Sequence, residues 1–445
     1  MPKDIPSYPP SENDPLVEGC RHQIKKTQKE YLKGVGRQTS DSIDISELNG
    51  GLFSAMDKCL EADPEETYFF FNEAKLRANV ELLREHFLPD MPDRRRIIYA
   101  MKANPKSKVM KVAADAGIDG FDCATYREIE KASNYVPPSG LFFNHPIKKL
   151  NAVKRADKKS VRYFTVQSRS GIENVLKGTF PAHEGDLPEI VIRLQTPNPD
   201  ARIDLSTAKY GASEKEAREM LRYLNNQRVN AFSGLSMNVG SQNTNPEAFA
   251  HGIEYMTRIA KEEGGVCSIN VGGGIPVNYF EDDNFDRVAY LQRISQSIRD
   301  NLEGVFSQNA IEPKIIIEPG RCIVADTIDL VIPILERKDR ENSKGLYIGD
   351  GIFRSFSDSV IHRDWRYSFN VIPKDGRITE GEEEMFNLYG ESCDTGDQLI
   401  GVSLPADVRE GDHLWVRNAG AYMSAQASDF NSPDPSIFVP YNSKS

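Results

Sequence analysis

Ile97-Ile-Tyr-Ala-Met-Lys-Ala-Asn104 is an unbroken apolar run that stops at a lysine in a sharp polar turn. An alternating pattern would mark a strand with one wet face, whereas a continuous one marks a strand covered on both faces. The same texture returns at 120–123, 141–143, 163–166, 190–194, 235–239, 269–271 and 315–317, in most cases followed by a polar helical stretch. Eight such units fit a closed parallel barrel better than an open sheet, so the fold class read here is α/β, a (β/α)8 TIM-like barrel.

Outward from that frame, Leu76, Val80, Leu83 and Phe87 recur at helical spacing and predict an amphipathic helix leading into the lysine strand. Thr125-Tyr-Arg-Glu128 reads as a capping box that starts the helix after the second strand. Beyond about residue 324 the pattern changes to short strand-like pieces separated by Gly, Pro and Asp, which predicts an appended antiparallel β domain. The expected division is a flexible leader at 1–40, a lead-in at 41–67, a barrel at 68–325 and a C-terminal β domain at 326–445. The lead-in, through 44–53, is expected to lend the β domain a strand.

The formal charge of −11 and a pI near 5.3 argue against nucleic acid or an anionic membrane as a partner, since both repel such a chain at long range. No apolar stretch approaches the roughly 20 residues that span a bilayer, and the polar N-terminus is unlike a signal peptide, so a cytoplasmic location is expected. The six cysteines are scattered without a C-x-x-C pair, which suggests reduced thiols and no metal site.

Active sites of such barrels lie where the strands end, so the residues just after each run carry the chemistry. Lys102 ends the first strand, and a lysine amine condenses with an aldehyde and leaves again by exchange. Gly272, Gly273 and Gly274 end the seventh, and without Cβ atoms their N–H groups can approach an anion. The eighth run breaks into Glu318-Pro-Gly-Arg321, which supplies a carboxylate, the turn glycine Gly320 and a guanidinium suited to a phosphate. Lysine, glycine cradle, glutamate and arginine together are the parts of a pyridoxal 5'-phosphate (PLP) site. Glu318 beside a pyridine nitrogen would keep it protonated and let the ring take up electrons from a breaking Cα bond.

These motifs, with Asn238-Val-Gly-Ser-Gln242, Lys209-Tyr-Gly211, Gly349-Asp-Gly-Ile-Phe353, Ser392-Cys-Asp-Thr-Gly-Asp397 and Asn418-Ala-Gly-Ala-Tyr-Met-Ser424, resemble the fold-type III PLP-dependent decarboxylases of ornithine, lysine, arginine and diaminopimelate. The resemblance runs from about residue 68 to 438. It implies that Lys102 carries PLP, that Gly274, Ser241, Arg321 and Tyr422 bind its phosphate, and that Glu318 meets the pyridine nitrogen. It further implies a homodimer with shared sites, in which Cys393 and Asp394 reach into the neighbouring subunit and Cys393 returns a proton after CO2 leaves.

Two departures from the family pattern bear on the substrate. Asn238 stands where a histidine usually stacks on the cofactor ring. His362 stands where an aspartate usually grips the distal ammonium, with Arg363 and Arg366 close behind. A distal ammonium there would lack a partner, at a cost of several kcal/mol, whereas arginine forks suit carboxylates. Relatives that build carboxylate siderophores act on such substrates, so the expected one is an ornithine or diaminopropionate already N-acylated with citrate. A two-residue slip in this loop brings Asp364 to the acid position instead and leaves free ornithine or lysine, or else diaminopimelate, as the alternative. A cofactor-free binding homologue is the rival of another class, but it need not keep Lys102, Glu318, Arg321 and Cys393 together. An alanine-racemase-like enzyme would place an arginine, not Glu318, at the pyridine nitrogen.

Overall fold

A computed structural model describes residues 50–180, 186–196, 201–203, 209–226, 231–279, 285–306, 310, 312–362, 365–376, 379, 382–431 and 436–441. The leader at 1–40 and the first part of the lead-in lie outside the described residues.

All eight apolar runs form strands, and these close into one parallel barrel: Arg95–Ala100, Gly120–Cys123, Leu141–Phe143, Tyr163–Val166, Glu189–Arg193, Phe232–Ser236, Val266–Asn270 and Lys314–Ile317, the last pairing with the first. The sixth begins and ends three residues before the run that announced it, which leaves Met237 to Val239 in the loop beyond the strand. Ile98, Phe142, Tyr163, Val191 and Ile316 form a cluster of their own among the barrel residues. The barrel is thus packed through its middle, and a ligand can enter only at an end. The helix Glu73–His86 buries Leu76, Val80 and Leu83 as its spacing requires, and Asn72 caps it by accepting from the Lys75 N–H. Thr125 and Glu128 form both halves of the capping box.

The second domain is a mixed sheet. Its spine, Ile328–Arg340, pairs antiparallel with Ser343–Ile348, His413–Val416 and Tyr68–Asn72. Two pairs are parallel, Tyr68–Asn72 with Ile437–Tyr441 and Ser343–Ile348 with Glu383–Tyr389, so the appended sheet is not purely antiparallel. The strand that precedes the barrel and joins this sheet is therefore Tyr68–Asn72, at the place where the barrel was expected to begin. The described part of 44–53 belongs instead to a helix, Gly50–Ala62. Leu52, Met56 and Cys59 repeat there at helical spacing, and Leu52 and Met56 pack on Tyr68, Phe70, Val331 and Trp415. The loop at 418–424 fastens the sheet to the barrel mouth, where the Tyr422 N–H donates to Ala103 O at 2.7 Å and the Asn104 amide donates to Gly420 O at 2.9 Å.

Candidate active site

Lys102 lies in a short 3-10 turn directly after the first barrel strand. Its ammonium is 3.4 Å from a carboxylate oxygen of Asp122, on the second strand, and the two differ sharply in exposure: 49% of the lysine side chain is accessible but only 4% of the aspartate. The amine is therefore reachable from the mouth while its counter-ion is fixed in the wall. Asp122 holds the Lys102 ammonium well above the usual lysine range, against the opposing effect of burial.

Glu318 follows the eighth strand. Its Oε1 accepts from the Asn144 and Asn270 amides, each at 2.7 Å. Burial, reinforced by the negative charge of Asp122 and offset in part by Lys102, Asn270 and Arg193, pushes its carboxyl up to about 7. Arg193 ends the fifth strand, and its charge is felt by both Glu318 and Asp122.

The three glycines leave no room for side chains. A Cβ on Gly272 would lie 2.4 Å from Met237 O, one on Gly273 2.4 Å from Glu318 O, and one on Gly274 2.4 Å from Gly240 O; φ is +73° at Gly272 and +116° at Gly274. The loop thus lies backbone to backbone against the loop carrying Ser241. Arg321, 5% exposed, donates from Nε to Ser241 Oγ at 3.3 Å and from Nη1 to Tyr279 OH at 2.8 Å. Its guanidinium lies 4.5 Å from the Tyr422 ring and 4.7 Å from the Trp365 ring. A Cβ on Gly320 would lie 3.1 Å from Ala100 Cβ and 3.3 Å from Ala103 Cβ, so the glycine lets the eighth loop close on the Lys102 turn. Lys102, Ser241, the three glycines, Glu318, Gly320, Arg321 and Tyr422 are therefore brought together. Asn238 adjoins them, its Oδ1 accepting from the Gly240 N–H at 2.9 Å.

The remaining candidates lie in the β domain. His362 caps a one-turn helix and stands 4.0 Å from Asp358, which is buried. Arg366 lines a cleft with Tyr279, Asp358, Trp365 and Arg417. Arg363 lies outside the described residues, as does Asp364. Cys393 and Asp394 sit on an exposed turn, which Asp397 ties down by accepting from the Ile352 and Ser392 N–H groups. Among the described residues no hydrogen bond or ion pair joins Cys393 or Asp394 to the barrel mouth of the same chain.

Sequence reasoning passed over Asp122, Asn144, Arg193 and Asn270, although each lies at or next to the C-terminal end of a barrel strand. Of these only Asn144 follows an apolar run as Lys102 and Glu318 do; the other three sit inside the runs, where the sequence does not tell a wall residue from one that faces the mouth. Asp358 and Tyr279 carried no such signal, because Asp358 is brought near Arg321 by how the β domain docks and Tyr279 by how the loop after the seventh strand folds back.

The residues fit PLP. A cradle that excludes Cβ atoms adjoins a buried guanidinium, a carboxylate is fixed on a neighbouring strand end, and an accessible amine stands on the next. The pyridoxal-binding domain of the pyridoxal-dependent decarboxylases matches residues 74–325. The lysine/ornithine decarboxylase of Selenomonas ruminantium is 28% identical over 362 residues, covering 80% of this chain and 85% of that protein. Antizyme inhibitor 2 of Xenopus laevis is 29% identical over 373 residues, covering 79% and 77%. The crystal structure of an SrLDC mutant in complex with PLP superposes with a TM-score of 0.74 at 25% identity, covering 86% of this chain and 94% of that one. A barrel mouth with this cradle, this lysine and this glutamate, matched over more than half its length by one domain, places the chain in the family of pyridoxal-dependent decarboxylases, and its activity is PLP-dependent decarboxylation of an amino acid.

Proposed function

We propose that the chain decarboxylates an amino acid whose distal end is acylated and anionic, most simply a citryl ornithine or citryl diaminopropionate of carboxylate siderophore assembly. PLP supplies an electron sink for the pair released when the bond from Cα to the carboxylate breaks. In this reading Lys102 carries the cofactor, while Ser241, Gly272, Gly273, Gly274, Gly320, Arg321 and Tyr422 receive its phosphate. Glu318 faces the pyridine nitrogen and Asn238 flanks the ring. Cys393 and Asp394 complete the site of a partner subunit in a cytoplasmic homodimer, with Cys393 returning a proton to Cα. Their exposed place on the β domain, without a contact to Lys102 among the described residues, supports that sharing.

The observation that carries the substrate reading lies on the segment 358–366. Its described carboxylate, Asp358, is 4% exposed and engaged by His362 and Gln426, so it offers little to an incoming ammonium. A substrate reaching this segment meets the His362 ring and the Arg366 guanidinium, and a guanidinium favours carboxylates. Among the described residues no helix is long and apolar enough to cross a membrane.

The test is CO2 release under saturating PLP from citryl ornithine, citryl diaminopropionate, their N-acetyl analogues and the free amino acids. We expect the citryl substrates to be fastest, acetylated ones intermediate and free ones slowest. His362→Asp should move the preference toward free ornithine. Free ornithine or lysine outpacing every acylated analogue would overturn the substrate assignment and leave a decarboxylase of basic amino acids.

A further inference from the structure

Both described hydrogen bonds to the Glu318 carboxylate end on the same oxygen. Oε1 accepts from Asn144 Nδ2 and Asn270 Nδ2, and no protein group donates to Oε2 among the described residues. The orientation of the Asn270 amide is fixed from its other side. The Gly272 N–H can only donate, and at 2.9 Å it requires the oxygen of Asn270 to face it, which turns Asn270 Nδ2 toward Glu318 and toward the Tyr163 hydroxyl at 2.9 Å. Asn144 takes its orientation from the ionised Glu318 oxygen itself, which at 2.7 Å needs a donor, and the Thr165 hydroxyl, able to donate or accept, complements it by donating to the Asn144 oxygen at 2.8 Å. Asn270 is fully buried, and its partner Tyr163 belongs to the cluster inside the barrel, so the arrangement is anchored in packed core.

An oxygen that already faces two N–H donors has no place for a proton of its own. We infer that Asn144 and Asn270 are positioning residues that confine the proton of the Glu318 carboxyl to Oε2, the oxygen left for the ring nitrogen of PLP. The position of the titration makes this consequential, because a carboxyl pushed up to about 7 exchanges its proton near neutral pH and a wrongly placed proton would compete with the ring. The charged or titratable groups around Glu318 are Asp122, Lys102, Arg193 and Tyr163. None of these four donates a described hydrogen bond to Oε1, so the choice of oxygen rests on the two amides. Asn270 has a second effect. By accepting from Gly272 and donating to Glu318, it sets the glycine loop and the carboxylate in one rigid frame.

The inference rests on the reading that Glu318 serves the pyridine nitrogen, and the experiment separates the two. Glu318→Gln, Asn144→Asp, Asn144→Ala and Asn270→Ala are compared by kcat and KM, and by pH-difference infrared spectroscopy of the apoprotein with the Glu318 band assigned through Glu318→Gln. Loss of one hydrogen bond to a charged group predicts a fall of about ten- to a hundredfold in kcat with little change in KM. It also predicts that the Glu318 midpoint moves up by about one pH unit. Asn144→Ala removes the donor without adding charge and gives the clean reading even where Asn270→Ala loosens the barrel end, while Asn144→Asp, which sets a second carboxyl against Glu318, should move the midpoint further up. A severe defect in Glu318→Gln, with kcat and midpoint unchanged in both Asn144 variants and in Asn270→Ala, overturns the inference alone. An unchanged kcat in Glu318→Gln overturns the underlying assignment of Glu318.

Discussion

Gly274→Ala tests whether the glycine loop is a cradle by necessity or merely a tight turn. At φ +116° an L side chain is strained, at a cost of about 1–3 kcal/mol. The new Cβ would also stand 2.4 Å from Gly240 O, a backbone atom that cannot rotate away. Relief means separating the glycine loop from the Ser241 loop, and overpacking of this kind adds about 1–3 kcal/mol. If roughly half of that strain must be restored when PLP draws the loops together, its dissociation constant rises by about ten- to a hundredfold. Gly376→Ala is the control, since it also has positive φ, +69°, but nothing within 4 Å of the new Cβ. It costs only about 1–2 kcal/mol of backbone preference and leaves cofactor affinity alone. Spectroscopic titration of each apoprotein with PLP measures the affinity, and thermal denaturation measures the strain. Equal PLP affinity in the Gly274 and Gly376 variants would refute the cradle.

Two further outcomes follow from the site. Asp122→Asn removes the charge that holds the Lys102 ammonium up, so the amine should lose its proton at lower pH; the rate of PLP capture, trapped with borohydride, should then rise at neutral pH, and an unmoved pH profile would mean the ion pair at 3.4 Å is without effect. Mixing inactive Lys102→Ala chains with inactive Cys393→Ala chains should restore part of the activity through one intact site per heterodimer, whereas no recovery after confirmed subunit exchange would assign both residues to one chain's site.

How much was legible in the sequence depended on whether the deciding interaction was local. The eight strands could be read because burial on both faces writes a continuous apolar run into the chain, and the capping box at Thr125 because its partners are three residues apart. Lys102, the glycine loop and Glu318-Pro-Gly-Arg321 could be read because a barrel delivers every strand end to one mouth. The helix at Gly50–Ala62 was missed because its first residues are small and turn-forming, and its face is defined by Tyr68, Phe70 and Trp415 from elsewhere in the chain.

Other features were decided only by the tertiary structure. Asn144 and Asn270 are ordinary polar residues in the sequence, and their meaning appears when two strand ends 126 positions apart present their amides to one carboxylate oxygen. The same holds for Asp122 beneath Lys102 and for Asp358 and Tyr279 near Arg321. Sequence by itself determined which strands exist and which chemical groups their ends deliver, since periodicity and turn chemistry act over a few residues. Barrel closure and the docking of the β domain decided which oxygen, which ring and which charge each group meets, since those distances are set by packing between segments remote in the chain.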